Sequence, residues 1–256
     1  VNPCHITKIT SPWLEAIEDL KMRYLKHFED NIHSIYVRGS VAQGKALESV
    51  SDIDTVTILW HPLKNSDSQW AENTRHTLEK KYPFSTEIAH DFILYNHVMG
   101  DWENDGVSFN YAFTLKNQAV CIYGQDLSTA LPQFKPNKYT ALRLLSDLNV
   151  VFARAKYNIR AHQEPELVMS WCRWVMKAII RNAFLIVMAR EKVFTRDLFP
   201  CCQLFSKYFP QQEPHIKKAL EYAINPLAEP DQIISFLEDF GIWLANEINK
   251  EFLEKV

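Results

Sequence analysis

The sequence predicts an α+β protein built from two domains. In residues 1–134, helices alternate with the strands of a mixed sheet, and residues 135–256 form an all-α helical bundle. Short apolar runs rich in β-branched residues recur between helical patterns as far as Gly124. The run Pro-Gln-Phe-Lys-Pro at 132–136 is a break in composition, and the strand pattern disappears after it. A chain of 256 residues, 47% of them hydrophobic, is long enough for two modest domains.

The first domain is expected to begin with a helix over residues 12–28, because apolar residues recur there at helical spacing after a Ser-Pro start. Alternating or continuous apolar patterns predict four strands, over residues 35–37, 53–60, 84–95 and 119–123. A polar helix is expected between the second and third strands, over residues 69–81.

The second domain is expected to contain five helices. Their patterns cover residues 139–162, 165–192, 196–208, 213–224 and 230–252, with prolines near several of the starts. The apolar stretch 167–189 approaches the length of a membrane span, but it contains Arg173, Lys177 and Arg181. These cations favour a helix of a soluble bundle.

Composition excludes several classes of function. The formal net charge of -3 argues against general nucleic-acid binding, which needs an excess of Lys and Arg on one face. The five cysteines include no Cys-x-x-Cys pair and no zinc-ligand spacing, and the first residues lack a secretion signal. These features predict reduced thiols, a cytoplasmic protein and no membrane association.

The main candidate site lies in residues 35–56, where a strand ends in Gly39-Ser40 and a second strand begins with Asp52-Ile53-Asp54. A glycine at a strand end lets backbone N–H groups approach a phosphate, and the next hydroxyl can donate to a phosphate oxygen. Gly39 and Ser40 are therefore expected to bind a triphosphate. Residues two apart on a strand point the same way, so Asp52 and Asp54 present two carboxylates to one point. Mg²⁺ prefers one or two carboxylates together with substrate phosphates.

Gly39-Ser40, separated by 11 residues from Asp52-Ile53-Asp54-Thr55, resembles the signature of nucleotidyltransferases of the DNA polymerase beta superfamily. That signature is Gly-Ser, about ten residues, and then Asp-hydrophobic-Asp-hydrophobic. The resemblance implies a polymerase-beta-like first domain and magnesium-dependent transfer of a nucleoside monophosphate from a nucleoside triphosphate. It also implies a third carboxylate on a later strand, as a general base or further metal ligand. Glu87 is preferred for this role, with Asp91 as the alternative on the same strand face.

The order of the two domains resembles the bacterial aminoglycoside adenylyltransferases of the streptomycin and spectinomycin type. In the second domain the resemblance rests on Arg181-Asn182-Ala183-Phe184 and on residues 190–197. It implies that Arg181 and Arg196 clamp the triphosphate of ATP, that Tyr222 lies near the nucleotide, and that the acceptor is a small, aminoglycoside-like molecule. The turn before Arg196 is longer than in that family, where lysine commonly takes the place of Arg196.

The acidic loop 101–105 and the length of the chain bear on the identity of the acceptor. The acidic loop 101–105, which contains Trp102, would suit a cationic acceptor. A nucleotidyltransferase acting on a protein or RNA partner, as in toxin–antitoxin pairs, is the main alternative, although such proteins are commonly much shorter. A catalytically silent nucleotide-binding module is the other. The oligomeric state is left open.

Overall fold

A computed structural model describes residues 2–252 of the chain. The chain divides into two compact units, Val1–Gln133 and Phe134–Val256.

The first unit is organised around a four-stranded mixed sheet in the order β3-β2-β1-β4. Its strands are β1 (Ile32–Arg38), β2 (Ile53–Leu59), β3 (Ile88–Leu94) and β4 (Ala119–Gly124). β1 is antiparallel to both β2 and β4, whereas β2 and β3 are parallel. The parallel pair brings the start of β3 beside the start of β2.

The helices of the first unit are α1 (Trp13–Phe28), α2 (Gly39–Ala42), α3 (Asn65–Lys81), α4 (Tyr95–Val98) and α5 (Gly106–Gln118). On one face of the sheet, Ile35 and Ile53 belong to a core that includes Ile17 and Leu20 of α1. Because side chains alternate along a strand, the burial of Ile53 turns its neighbour Asp54 toward the other face.

The helix α5 was not predicted from the sequence. Apolar residues occur all round α5 and do not form one stripe, so the helical period is hidden. Its start is nevertheless well defined, since the carboxylate of Asp105 accepts hydrogen bonds from the backbone N–H groups of Val107 and Ser108.

The second unit consists of helices, as predicted. They are α6 (Lys138–Leu144), α7 (Leu148–Ala161), α8 (Pro165–Glu191), α9 (Leu198–Tyr208), α10 (Glu213–Ile224), α11 (Pro230–Phe236) and α12 (Ile242–Phe252). The 27-residue α8 contributes more buried residues than any other described helix, so it is the centre of this core. The predicted α+β class, with an all-α second part, is confirmed.

Two predicted helices are divided. The expected helix 139–162 is broken because Asp147 caps α7 by accepting from the N–H groups of Asn149 and Val150. The N–H of Ser146 turns to the side-chain oxygen of Asn182, at 2.9 Å. The expected helix 230–252 is interrupted by a π-helical turn, Leu237–Gly241, between α11 and α12.

Within residues 2–252, no helix combines the length and the apolar character needed to cross a bilayer.

Candidate functional site

The first feature of the candidate site is a close approach between Gly39 and Asp54. Gly39 follows β1 directly and has a φ of +76°, a left-handed conformation that favours glycine. A Cβ atom built on Gly39 would lie 2.6 Å from Oδ2 of Asp54. The turn after it is closed by the N–H of Lys45, which donates to the carbonyl of Ser40 at 2.9 Å. The structure therefore brings Gly39 against the carboxylate of Asp54.

This contact predicts that Gly39→Ala destabilises the fold. The left-handed backbone costs alanine about 1–2 kcal/mol, and the new methyl group must also displace the Asp54 carboxylate. Gly106→Ala is the matched control, because its φ is not positive and no atom lies within 4 Å of the added Cβ. We expect urea unfolding to show the loss for Gly39→Ala and a change within about 0.5 kcal/mol for Gly106→Ala. Equal effects would contradict the assigned strain.

The second feature is a pair of carboxylates at the starts of two parallel strands. The N–H of Ile53 donates to the carbonyl of Glu87 at 2.9 Å, and the register aligns Ile53 with Ile88. Asp52 and Glu87 are therefore neighbours. Partial burial and the negative charge of Asp52 both raise the pKa of Glu87 above its usual value. The register therefore places Glu87 beside Asp52 at the start of the parallel pair.

Asp91, the alternative third carboxylate, lies farther along β3. It aligns with Val56, two residues beyond Asp54, and its side chain is 44% exposed. Strand geometry separates positions two residues apart by about 6.6 Å. Asp91 is paired with the cation Arg38. The charge that acts most strongly on Glu87 is instead the negative charge of Asp52. The geometry favours Glu87 over Asp91.

Arg38, the last residue of β1, is a site residue that the sequence did not reveal. Its Nη2 atom lies 3.0 Å from Oδ1 of Asp54 and 3.5 Å from Oδ2 of Asp91. β1 is antiparallel to β2, and Arg38 pairs directly with Asp54 in the sheet. An arginine after the apolar run Ile35-Tyr36-Val37 was the available signal. Its importance depends on the strand register, which the sequence alone did not give.

Helix α3 fixes the beginning of β3 and thereby the position of Glu87. The N–H of Ile88 donates to Oε1 of Glu79 at 3.1 Å, and Arg75 donates to the same oxygen at 2.7 Å. His90 is half-buried; its Nδ1 is 3.1 Å from the hydroxyl of Tyr24, and burial lowers its pKa.

The number and the charge of these carboxylates decide how they could hold magnesium. Within residues 2–252, no three Asp, Glu, His or Cys side chains converge closely enough to hold a metal by themselves. Magnesium does not require such a cage, because it takes one or two carboxylates and completes its shell with phosphates and water. The electrostatic repulsion that raises the Glu87 pKa is also what a bound cation would relieve. The donor set fits magnesium that is shared with a phosphate ligand.

In the second unit, the structure brings two predicted phosphate ligands near the same buried thiol. Burial raises the pKa of Cys201 to about 12, and the positive charges of Arg181 and Arg196 act in the opposite direction. Arg181 comes from α8, and Arg196 lies in the loop before α9. The Sγ of Cys201 donates to the carbonyl of Thr195 at 3.7 Å, which ties this loop to α9.

Tyr222, the remaining predicted nucleotide ligand, lies in the core of the second unit. It is 8% exposed, and its ring packs edge-on against Phe236 with centroids 5.9 Å apart. Nζ of Lys218 lies 5.5 Å from its ring centroid. Its observed contacts are those of a packing residue.

Two carboxylates of the acidic loop 101–105 accept hydrogen bonds from nearby residues of the loop and of α5. Asp101 accepts from the N–H groups of Glu103 and Asn104, both at 3.1 Å. Asp105 caps α5, and its Oδ2 also accepts from the hydroxyl of Ser108 at 2.5 Å. These hydrogen bonds occupy both aspartates within the loop.

Comparison with known proteins supports the fold. No protein-family model matches the chain, and no curated protein sequence matches it. Among solved structures, the chain is similar to spectinomycin adenyltransferase AAD(9) from Enterococcus faecialis, determined with ATP and spectinomycin. The TM-score is 0.52 with 16% identical residues, over 92% of this chain and 99% of the other. The predicted resemblance to this type of nucleotidyltransferase is confirmed at the level of the fold.

Proposed function

We propose that this protein is a magnesium-dependent nucleotidyltransferase, which transfers AMP from ATP to a hydroxyl group of a small molecule and releases pyrophosphate. The observation that carries the proposal is the contact between Gly39 and the Asp54 carboxylate, beside the Asp52–Glu87 pair. That arrangement puts a glycine turn suited to phosphate next to carboxylates suited to a divalent cation. The likeness of the fold to that of an ATP-binding adenyltransferase supports the same function.

The turn after β1 is assigned to the triphosphate. Gly39 leaves room for phosphate oxygens to approach the backbone, and the half-buried Ser40 offers its hydroxyl as a donor. Arg38 is bound to Asp54 and Asp91. Its guanidinium group has further N–H donors that can bind a phosphate oxygen at the edge of the same group.

Asp52 and Asp54 are assigned as the ligands of magnesium, with Glu87 as base or further ligand. When bound, magnesium neutralises the negative charge that develops around the α-phosphate. Glu87 accepts the proton of the acceptor hydroxyl, and its raised pKa makes it a stronger base than an ordinary glutamate.

The proposed reaction is a single displacement at phosphorus. The acceptor oxygen forms a bond to the α-phosphorus as the bond from that phosphorus to the bridging oxygen breaks, and pyrophosphate takes the bonding electrons. The proton of the hydroxyl passes to Glu87. The products are the adenylylated acceptor, pyrophosphate and a proton returned to solvent.

Arg181 and Arg196 are assigned to phosphate binding, because both are cationic and both act on the Cys201 thiol. Tyr222 is proposed, from the resemblance alone, as a residue near the nucleotide; its buried ring limits it to an indirect contribution through packing.

Replacement of either arginine is expected to weaken ATP binding. A charge-assisted hydrogen bond contributes about 1.5–3 kcal/mol, so Arg181→Gln and Arg196→Gln should each raise the Kd for ATP by about 10–100-fold. Arg190→Gln is the matched control on α8, since Arg190 is bound to Glu251 at 3.4 Å. Isothermal calorimetry with ATP and Mg²⁺ measures all three. Unchanged affinity in both test variants would remove these residues from the proposed site.

The function itself is tested by following the α-phosphorus of ATP. The full-length protein is incubated with ATP labelled at that atom, Mg²⁺ and a panel of hydroxylated small molecules, beginning with spectinomycin and streptomycin. We expect label to enter an acceptor and one pyrophosphate to be released for each transfer. If calorimetry detects no binding of any nucleoside triphosphate with Mg²⁺, the proposal is wrong and the fold serves another purpose.

A further inference from the structure

The second unit has an exposed cluster of two tryptophans and an arginine, which we call the Arg154 cluster. Trp171 and Trp174 lie one turn apart on α8, with ring centroids 5.3 Å apart and planes at 76°. From the adjacent α7, the guanidinium carbon of Arg154 lies 5.4 Å and 5.5 Å from the two ring centroids. Both contacts are within the range of cation–π interactions. The arginine and the two rings therefore hold one another in a defined arrangement.

The cluster is accessible to a ligand. Trp174 is 38% exposed, Arg154 is exposed and Trp171 is half-buried. Within residues 2–252, the structure has no carboxylate within salt-bridge distance of Arg154. An arginine stacked on aromatic rings, with its edge N–H groups not bound to an acid, can receive an anionic or polar group beside a flat ring.

The helices that carry the cluster place further cations beside it. Arg173 and Lys177 flank Trp174 on α8, at the four-residue spacing that continues to Arg181. The Nε atom of Arg173 is buried and has no hydrogen-bond partner among the described residues. No acidic residue occurs in α7 or in residues 167–190 of α8. The charges of Arg154 and Arg173 disfavour a polycationic ligand here more than a neutral or anionic one.

We propose that the Arg154 cluster binds a planar aromatic hydroxy compound, neutral or anionic. The ring of the ligand stacks on Trp174, and a polar or anionic substituent binds Arg154. This binding site does not depend on the function proposed above.

A nucleobase is also a flat ring, so the base of ATP is the competing occupant. Trp174 and Arg181 are seven residues apart, which is about 10 Å along a helix and within the length of a nucleotide. The aromatic compound is favoured because the exposed Trp174, the half-buried Trp171 and Arg154 form an extended platform that accepts a ring together with a charged substituent. Measuring ATP affinity in the same variants separates the two occupants.

The probe is 4-methylumbelliferone, a flat fluorescent phenol, titrated into the full-length protein. We expect saturable binding to the wild type. Stacking of one ring contributes about 1–3 kcal/mol, so Trp174→Ala should weaken binding by at least about fivefold. Arg154→Gln should weaken binding of 4-hydroxybenzoate, which carries a carboxylate, more than that of the neutral phenol. Neither change should alter the affinity for ATP with Mg²⁺.

Two matched variants serve as controls. Trp60 is 48% exposed in the first unit, and Arg160 is exposed on α7. Trp60→Ala and Arg160→Gln should leave binding of both probes unchanged. Circular dichroism at 25 °C verifies that every variant is folded.

Two results would overturn the inference. No saturable binding of either aromatic probe to the wild type removes the site. A loss of ATP affinity in Trp174→Ala, with probe binding retained, assigns the tryptophan to the nucleobase. Absence of ATP binding to the wild type is a separate failure, because it rejects the nucleotidyltransferase proposal while the probe titration still decides whether the cluster binds aromatic ligands.

Discussion

Replacing Asp54 with asparagine is expected to abolish the magnesium dependence of ATP binding and to reduce nucleotide transfer by about 10³-fold, because a metal ion typically contributes several kcal/mol to charge stabilisation in such a transition state. Asp54 is the carboxylate that contacts the glycine turn, and its side chain is only 17% exposed. Asparagine has nearly the same shape, so the packing against Gly39 is retained while the negative charge is lost. The measurement is calorimetry with ATP, with and without Mg²⁺, together with the labelled-transfer assay.

The Asp54→Asn result needs a control for the ion pair with Arg38. Arg38 lies within 4 Å of Asp54 and Asp91, and loss of Asp54 also removes one of these pairs. Arg38→Gln breaks both pairs but keeps all the carboxylates, so it should retain magnesium-dependent binding with a weaker affinity for ATP. If Asp54→Asn binds ATP as the wild type does, with the same response to Mg²⁺, Asp54 is not a metal ligand.

Much of the fold followed from local pattern. The four strands and the longer helices have clear periodicity, and prolines or side-chain caps mark several starts. The missed α5 has no single apolar stripe, and the break before α7 depends on a tertiary hydrogen bond from Ser146 to Asn182. The lack of an apolar stripe hides α5 from an analysis of hydrophobic periodicity. The break before α7 can be predicted only if α8, which carries Asn182, is known to be a neighbour.

The residues of the candidate site also differ in whether the sequence alone could reveal them. The motif of Gly39, Ser40, Asp52 and Asp54 is contiguous enough to be found from the sequence, because two strands and one turn bring it together. Arg38 escaped notice since its contacts depend on the pairing of β1 with β2 and on the parallel placement of β3. Glu87 was already preferred over Asp91 from the sequence, and the parallel register, which aligns Ile53 with Ile88, adds support for this preference.

Glu87→Gln is the second decisive substitution, and it is expected to affect activity and stability in opposite directions. Loss of a general base typically reduces the rate by about 10²–10⁴-fold. Asp91→Asn is the matched control on the same strand, and it should retain most of the transfer activity. If Asp91→Asn is inactive and Glu87→Gln is not, Asp91 is the third carboxylate.

The effect of Glu87→Gln on stability depends on pH, and its sign follows from the raised pKa. The folded protein holds the Glu87 proton more tightly than the unfolded chain does, because partial burial and Asp52 both disfavour the ionised carboxylate. The ionised group therefore destabilises the folded state, and this cost develops as the pH rises from the ordinary glutamate pKa, about 4.3, through the raised value. Thermal unfolding should show Glu87→Gln to be more stable than the wild type at pH 7, with the difference vanishing near pH 4.

A base kept at a destabilising position is the pattern expected of a catalytic group, since a residue retained only for packing would show the opposite change on substitution. Saturating Mg²⁺ and ATP should reduce the difference at pH 7, because a bound cation favours the ionised carboxylate of the wild type and has no such effect on glutamine.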